Sequence, residues 1–145
     1  GFTPDPHEKS ILAGGSVPAA NAKAGCEGSV SAAPDYQVFF EAGNLDLTFL
    51  VEASEDTTLL INTPNGRWYC DDDSGGSLNP KVQITNPQSG RYDIWVGTYG
   101  DDMVQSTISF LEFDLGRGLC CLFLSFPSIN RLAPSIFVFV PLVLV

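Results

Sequence analysis

The sequence predicts an all-β protein: an antiparallel β-sandwich of jelly-roll-like form, with about eight strands and an extended apolar C-terminal tail. Between Asp56 and Tyr99, short β-branched and aromatic runs alternate with turn residues at intervals of about 8–12 residues, the rhythm of a sandwich or barrel. No stretch sustains the i, i+3, i+4, i+7 apolar pattern of an amphipathic helix. Fourteen glycines and ten prolines suit a turn-rich chain better than a helical one.

Each element follows from its residues. Gly1–Pro6 is kept extended by two prolines, and His7–Ala13 reads as a first strand. Gly14–Gly25, rich in Gly, Ala and Ser, reads as a loop. Gly28–Ala32 and Tyr36–Glu41 read as short strands. In Asp46–Glu52, Leu47, Phe49 and Val51 share one face with Leu45, while Asp46, Thr48 and Glu52 face the other way. Thr58–Asn62 is apolar and β-branched. Pro64-Asn65-Gly66 is a tight turn, because Pro presets φ and Asn-Gly tolerates positive φ. Arg67–Cys70 returns as a strand, and Asp71-Asp72-Asp73-Ser74-Gly75-Gly76 forms a polar loop. Val82–Thr85 is a strand, Asn86–Gly90 a turn and Tyr92–Tyr99 a longer strand. Thr107–Asp114 alternates Ile108, Phe110, Glu112 and Asp114 against Ser109, Leu111 and Phe113.

A chain of 145 residues is one domain's worth and long enough to bury a core. The formal net charge of −10 argues against nucleic acid, whose phosphates call for clustered Lys and Arg. Residues 1–115 hold all 17 acidic side chains and five of the seven basic ones, whereas residues 116–145 hold two arginines and no acid. The expected organisation is a sandwich over 1–115 and an apolar tail over 116–145.

In the tail, Pro127, Arg131, Pro134 and Pro141 cut the apolar sequence into pieces of about six to eight residues. A membrane-spanning helix needs about 20 predominantly apolar residues in a row, so the tail reads as extended strands. Ile136, Phe137, Val138, Phe139, Val140, Leu142, Val143, Leu144 and Val145 are apolar on both strand faces, as in a strand covered on both sides. Such a segment is expected to pack against another copy of the chain, head to tail, as a strand added to a partner's sheet. A contact of that kind makes an open filament when it does not close into a ring.

The stretch from Asp56 to Tyr99 also resembles a known family. Asp56-Thr57-Thr58-Leu59, Pro64-Asn65-Gly66, Trp68 with Cys70, the Asp71–Gly76 loop, Leu78-Asn79-Pro80 and Ser89–Tyr99 are similar to the bacterial pre-peptidase C-terminal (PPC) domain. That family is a small β-sandwich module of secreted proteins. The resemblance extends upstream through Ala33–Tyr36 and Gly25–Gly28 and downstream to about Asp114. It implies an exported, extracellular or cell-surface protein, and Gly1–Pro6 reads as the start of a mature chain. It also implies a Cys26–Cys70 disulfide, since family members often carry Cys at both positions and exported modules form disulfides; two buried thiols are the other reading. Cys120 and Cys121 lie in the tail.

Two candidate sites stand out. Asp71, Asp72 and Asp73, with Asn79, offer several oxygen ligands in a Gly-containing loop, the ligand type a calcium ion takes. Asp101-Asp102 or Glu55-Asp56 are possible contributors, and some modules of the resembled family bind calcium. The plainer reading is a set of Asx turns with spare charge in water. Trp68, Tyr92, Trp95 and Tyr99 offer either an aromatic platform for a glycan or, as is commoner for such a strand, core and edge packing. Catalysis has little support: the one histidine, His7, has no nucleophile motif beside it, and no G-x-S-x-G, HExxH or phosphate-binding loop occurs. The sequence therefore points to a non-enzymatic extracellular structural protein, a subunit of a filament or surface assembly joined through its tail. The alternative is a calcium- or substrate-binding accessory domain of a secreted peptidase or hydrolase.

Overall fold

The computed structural model of the chain describes residues 5–113. These form ten strands and one short 3-10 turn. The strands are β1 (His7–Ala13), β2 (Val17–Pro18), β3 (Ser29–Val30), β4 (Tyr36–Phe40), β5 (Asp46–Ala53), β6 (Thr57–Asn62), β7 (Trp68–Asp71), β8 (Lys81–Ile84), β9 (Gly90–Thr98) and β10 (Val104–Phe113); the turn is Ala19–Asn21. One sheet runs β1-β10-β5-β8. The other runs β2-β3-β9-β6-β7, with β4 also paired to β9. Every pairing is antiparallel. The expected sandwich is the observed one. The loop expected over Gly14–Gly25 contains β2 and the 3-10 turn instead.

Strand alternation builds the core. Leu47, Phe49 and Val51 of β5 are completely buried, as are Ile108 and Phe110 beside them on β10. Tyr92, Ile94 and Val96 of β9 and Leu59 and Ile61 of β6 face them from the second sheet. Aromatic rings pack within and between the layers: Phe49 meets Phe110 of its own sheet edge-on at 5.7 Å and Tyr92 of the other sheet at 6.0 Å, and Tyr36 stacks on Phe110 across the layers at 5.5 Å.

The opposite face of the second sheet carries a smaller apolar cluster. Leu60 and Trp95, which alternate with the core residues of β6 and β9, point outward there together with Trp68 and Cys70 of β7. The segment holding β2, the 3-10 turn and β3 lies over them and contributes Ala19, Cys26 and Val30. The approach is close. A Cβ on Gly97 would stand 2.5 Å from the Thr58 hydroxyl and 2.6 Å from the Ser29 carbonyl, so the position needs glycine.

Strand β9 changes partner along one edge, pairing with β4 from Gly90 to Ile94 and with β3 at Thr98. Val96 sits in the gap, where its backbone groups would be orphaned. The Asp35 carboxylate accepts the Val96 N–H at 2.8 Å, and Gly14 N–H donates to the Val96 carbonyl at 2.8 Å.

Candidate functional site

The loops β5–β6, β7–β8 and β9–β10 gather at one end of the sandwich, and this end carries the acidic loop. Cys26 and Cys70 are bonded there, with a Cα separation of 5.7 Å, as the resemblance implied. The bridge pins the covering segment to β7 just before Asp71.

The acidic residues of this loop are engaged as turn acceptors. Asp71 Oδ2 accepts the N–H groups of Ser74 and Lys81, each at 2.9 Å. Asn79 Oδ1 accepts the Ala53 N–H at 3.0 Å. Asp73 is solvent-exposed, and its carboxyl is held above the ordinary aspartate value by reduced hydration and by the charges of Asp72, Asp56, Asp71 and Glu27. At an exposed site the crowding of like charge is the more telling cause. Tyr99, 58% exposed, has its phenol pushed up by a hydrogen bond to Glu27 and by that carboxylate's charge. Among the described residues, no group of three or more His, Cys, Asp or Glu side chains is placed to hold a metal ion. Asp71 and Asn79 thus sit in the loop as backbone acceptors, while Asp72 and Asp73 do not converge with them as a ligand set.

The four aromatics considered as a glycan platform are not brought together. Tyr92 is 1% exposed in the main core, Trp68 and Trp95 pack against each other at 5.4 Å in the smaller cluster, and Tyr99 alone is open. The tail residues Ile136–Val140 and Leu142–Val145, with Cys120 and Cys121, lie outside the described residues.

The other end of the sandwich holds a cleft of about 270 Å³ that the turn signals in the sequence did not reveal. Its walls are the β6–β7 turn (63–67) and the β8–β9 loop (85–89), with Tyr69, Ile84 and Tyr92 beneath. Both walls are fixed by their own hydrogen bonds. In the first, Thr63 Oγ1 donates to Asn65 Oδ1, which also accepts the Arg67 N–H at 3.2 Å. In the second, the Tyr92 hydroxyl accepts the Gln88 N–H at 3.0 Å and donates to the Gln88 carbonyl at 2.8 Å. This is the arrangement of a tyrosine corner, in which a strand's Tyr holds the loop that leads into it. Gly90 lets the walls meet: its φ is +139°, and a Cβ there would stand 2.8 Å from Pro64.

No family model matches the chain, and no curated protein matches it. Among solved structures it is similar to PliG of Aeromonas hydrophila, a periplasmic inhibitor of g-type lysozyme. The two share 14% identity over 78% of this chain and 92% of that one, with a TM-score of 0.46, a likeness too distant to bear on function.

Proposed function

We propose that this chain is a non-enzymatic structural protein of the cell exterior, a PPC-like sandwich whose copies are joined through the apolar C-terminal segment. One observation carries the reading. The last described strand, β10, lies inside its sheet with both edges paired, to β1 and to β5. The described strands thus form a two-sheet sandwich with β10 in its interior, and this reading assigns the apolar residues that follow in the sequence to a contact between copies. The disulfide supports maturation in an oxidising compartment. Among the described residues, no helix is long and apolar enough to cross a membrane.

The receiving surface in this reading is β4. Among the described residues its strand partner is β9, and its Phe39 is 78% exposed. A strand at the border of a sheet is a template for an added strand, and Ile136–Val145 of a second copy is the strand proposed to pack at β4 and Phe39. Deleting residues 134–145 is expected to leave a folded, mostly monomeric sandwich and to abolish assembly, read by sedimentation and electron microscopy. A truncated chain that unfolds would assign the segment to its own core. One that still assembles would place the contact elsewhere.

A further inference from the structure

We propose that the cleft between the β6–β7 turn and the β8–β9 loop binds a small, singly charged, polyhydroxylated carboxylate, an acidic sugar of the hexuronate class. The charge pattern points first to an anion. The protein carries 17 acidic side chains, yet none of the residues lining this cleft is acidic, and one of them is Arg67. Among the described residues the Arg67 guanidinium has no ion-pair partner. An unpaired, planar, five-donor fork beside a preformed concavity suits a carboxylate, which it can hold through two parallel hydrogen bonds. One guanidinium in a chain of net charge −10 matches a single negative charge better than a dianionic phosphate ester.

The neighbouring groups add the polyol. Asn65 has its carbonyl oxygen taken up by the turn, which leaves its amide NH₂ as a donor. Asn86 and Gln88 line the same cleft, and their side chains have no hydrogen-bond partner among the described residues. Each offers both a donor and an acceptor, the complement of a sugar hydroxyl, which is itself both. Tyr69, part-buried against the core, supplies an apolar ring with a polar tip. Asn86 is held at φ +50°, an uncommon conformation for a residue with a side chain and one that clusters at ligand clamps. The cleft lies just below the range of about 300–1,000 Å³ typical of ligand pockets, so one sugar ring rather than a long oligosaccharide is the fitting occupant.

Saturation-transfer NMR on the full chain tests this, since it reads the ligand whether or not the protein assembles. Sodium D-glucuronate is expected to receive saturation at its ring protons with affinity in about the millimolar range, and D-glucose about tenfold less. Arg67→Gln, an exposed substitution, is expected to weaken the glucuronate signal about tenfold while leaving the melting temperature unchanged. Asn86→Gly is expected to keep the backbone turn and weaken both sugars. The proposal is overturned if glucuronate receives no saturation, if glucose matches it, if N-acetylglycine matches it (a carboxylate site without sugar recognition), or if Arg67→Gln binds as the parent does.

Discussion

Two side chains carry more of this fold than their positions in the sequence suggest. The Tyr92 hydroxyl satisfies both backbone groups of Gln88. Tyr92→Phe should therefore keep the packing of the ring but orphan a donor and an acceptor, costing about 1–3 kcal/mol in urea unfolding. Asp35 is half-buried and accepts hydrogen bonds from Val96 N–H and Ser31 Oγ. Burial raises its carboxyl above the ordinary value, and the two hydrogen bonds pull the other way without cancelling it. The sign follows: a raised folded-state value means that the native protein binds the proton more tightly than the unfolded chain. The resulting stability is fully present below the unfolded value near 3.8 and is lost as pH rises through the raised folded value. Urea melts from pH 3 to pH 7 should show the parent gaining stability relative to Asp35→Asn as the pH is lowered through that window. A difference independent of pH would show that Asp35 titrates alike in both states. Neither role was legible in the sequence. Tyr92 reads as one more aromatic residue of a strand, and Asp35 stands out only as part of the Ala33–Tyr36 resemblance, because what each does depends on a backbone group that folding brings beside it.

At the level of elements, the strands were legible wherever large apolar residues recur at every second position. The alternation of Leu47, Phe49 and Val51 ends as a fully buried row on β5, and that of Tyr92, Ile94 and Val96 as the inner face of β9. The segment from Gly14 to Gly25 defeated the same logic. Its apolar side chains, Val17, Ala19 and Ala22, are small and lack a period of two, yet they cover Trp68 and Trp95 on the outer face of the second sheet. The disulfide closes this cover across a sequence separation of 44 residues. In the chain-entropy account, losing a bridge that closes such a loop costs about 3–4 kcal/mol. Cys26→Ala with Cys70→Ala should lower the urea midpoint accordingly, and the largest loss of hydrogen-exchange protection should fall on residues 17–30. The acidic loop was correctly located, but its chemistry turns on where its oxygens point. With Asp71 and Asn79 already accepting backbone N–H groups, millimolar calcium and its chelation should leave the melting temperature unchanged. A rise with calcium would show that the loop rearranges to coordinate it.

For the whole molecule, the assembly reading makes the β4 edge and the C-terminal segment two halves of one contact. Phe39→Asp should therefore reduce assembly as strongly as removal of residues 134–145, and the two changes together should do no more than either alone. Fluorescence of the isolated monomers should be alike in all three, because Phe39 is not part of the core. The fold class was readable because periodicity and turns are local properties. The cleft was not: its walls come from turns about 20 residues apart in sequence that meet only where Gly90 and Pro64 touch. The pairing of β1 with β10 has a further consequence, one of timing. His7 lies opposite Phe110, so a chain delivered N-terminus first holds β1 without its partner until about a hundred more residues have arrived. The first sheet can be completed only when β10, the strand that joins β1 to β5, is present. Folding governed by such distant pairings belongs to the millisecond-to-second class of β-sandwiches rather than to the microsecond class of helical bundles. A stopped-flow measurement should find it there. Chains cut before Val104 should fail to fold, since they would lack the interior strand that joins β1 to β5.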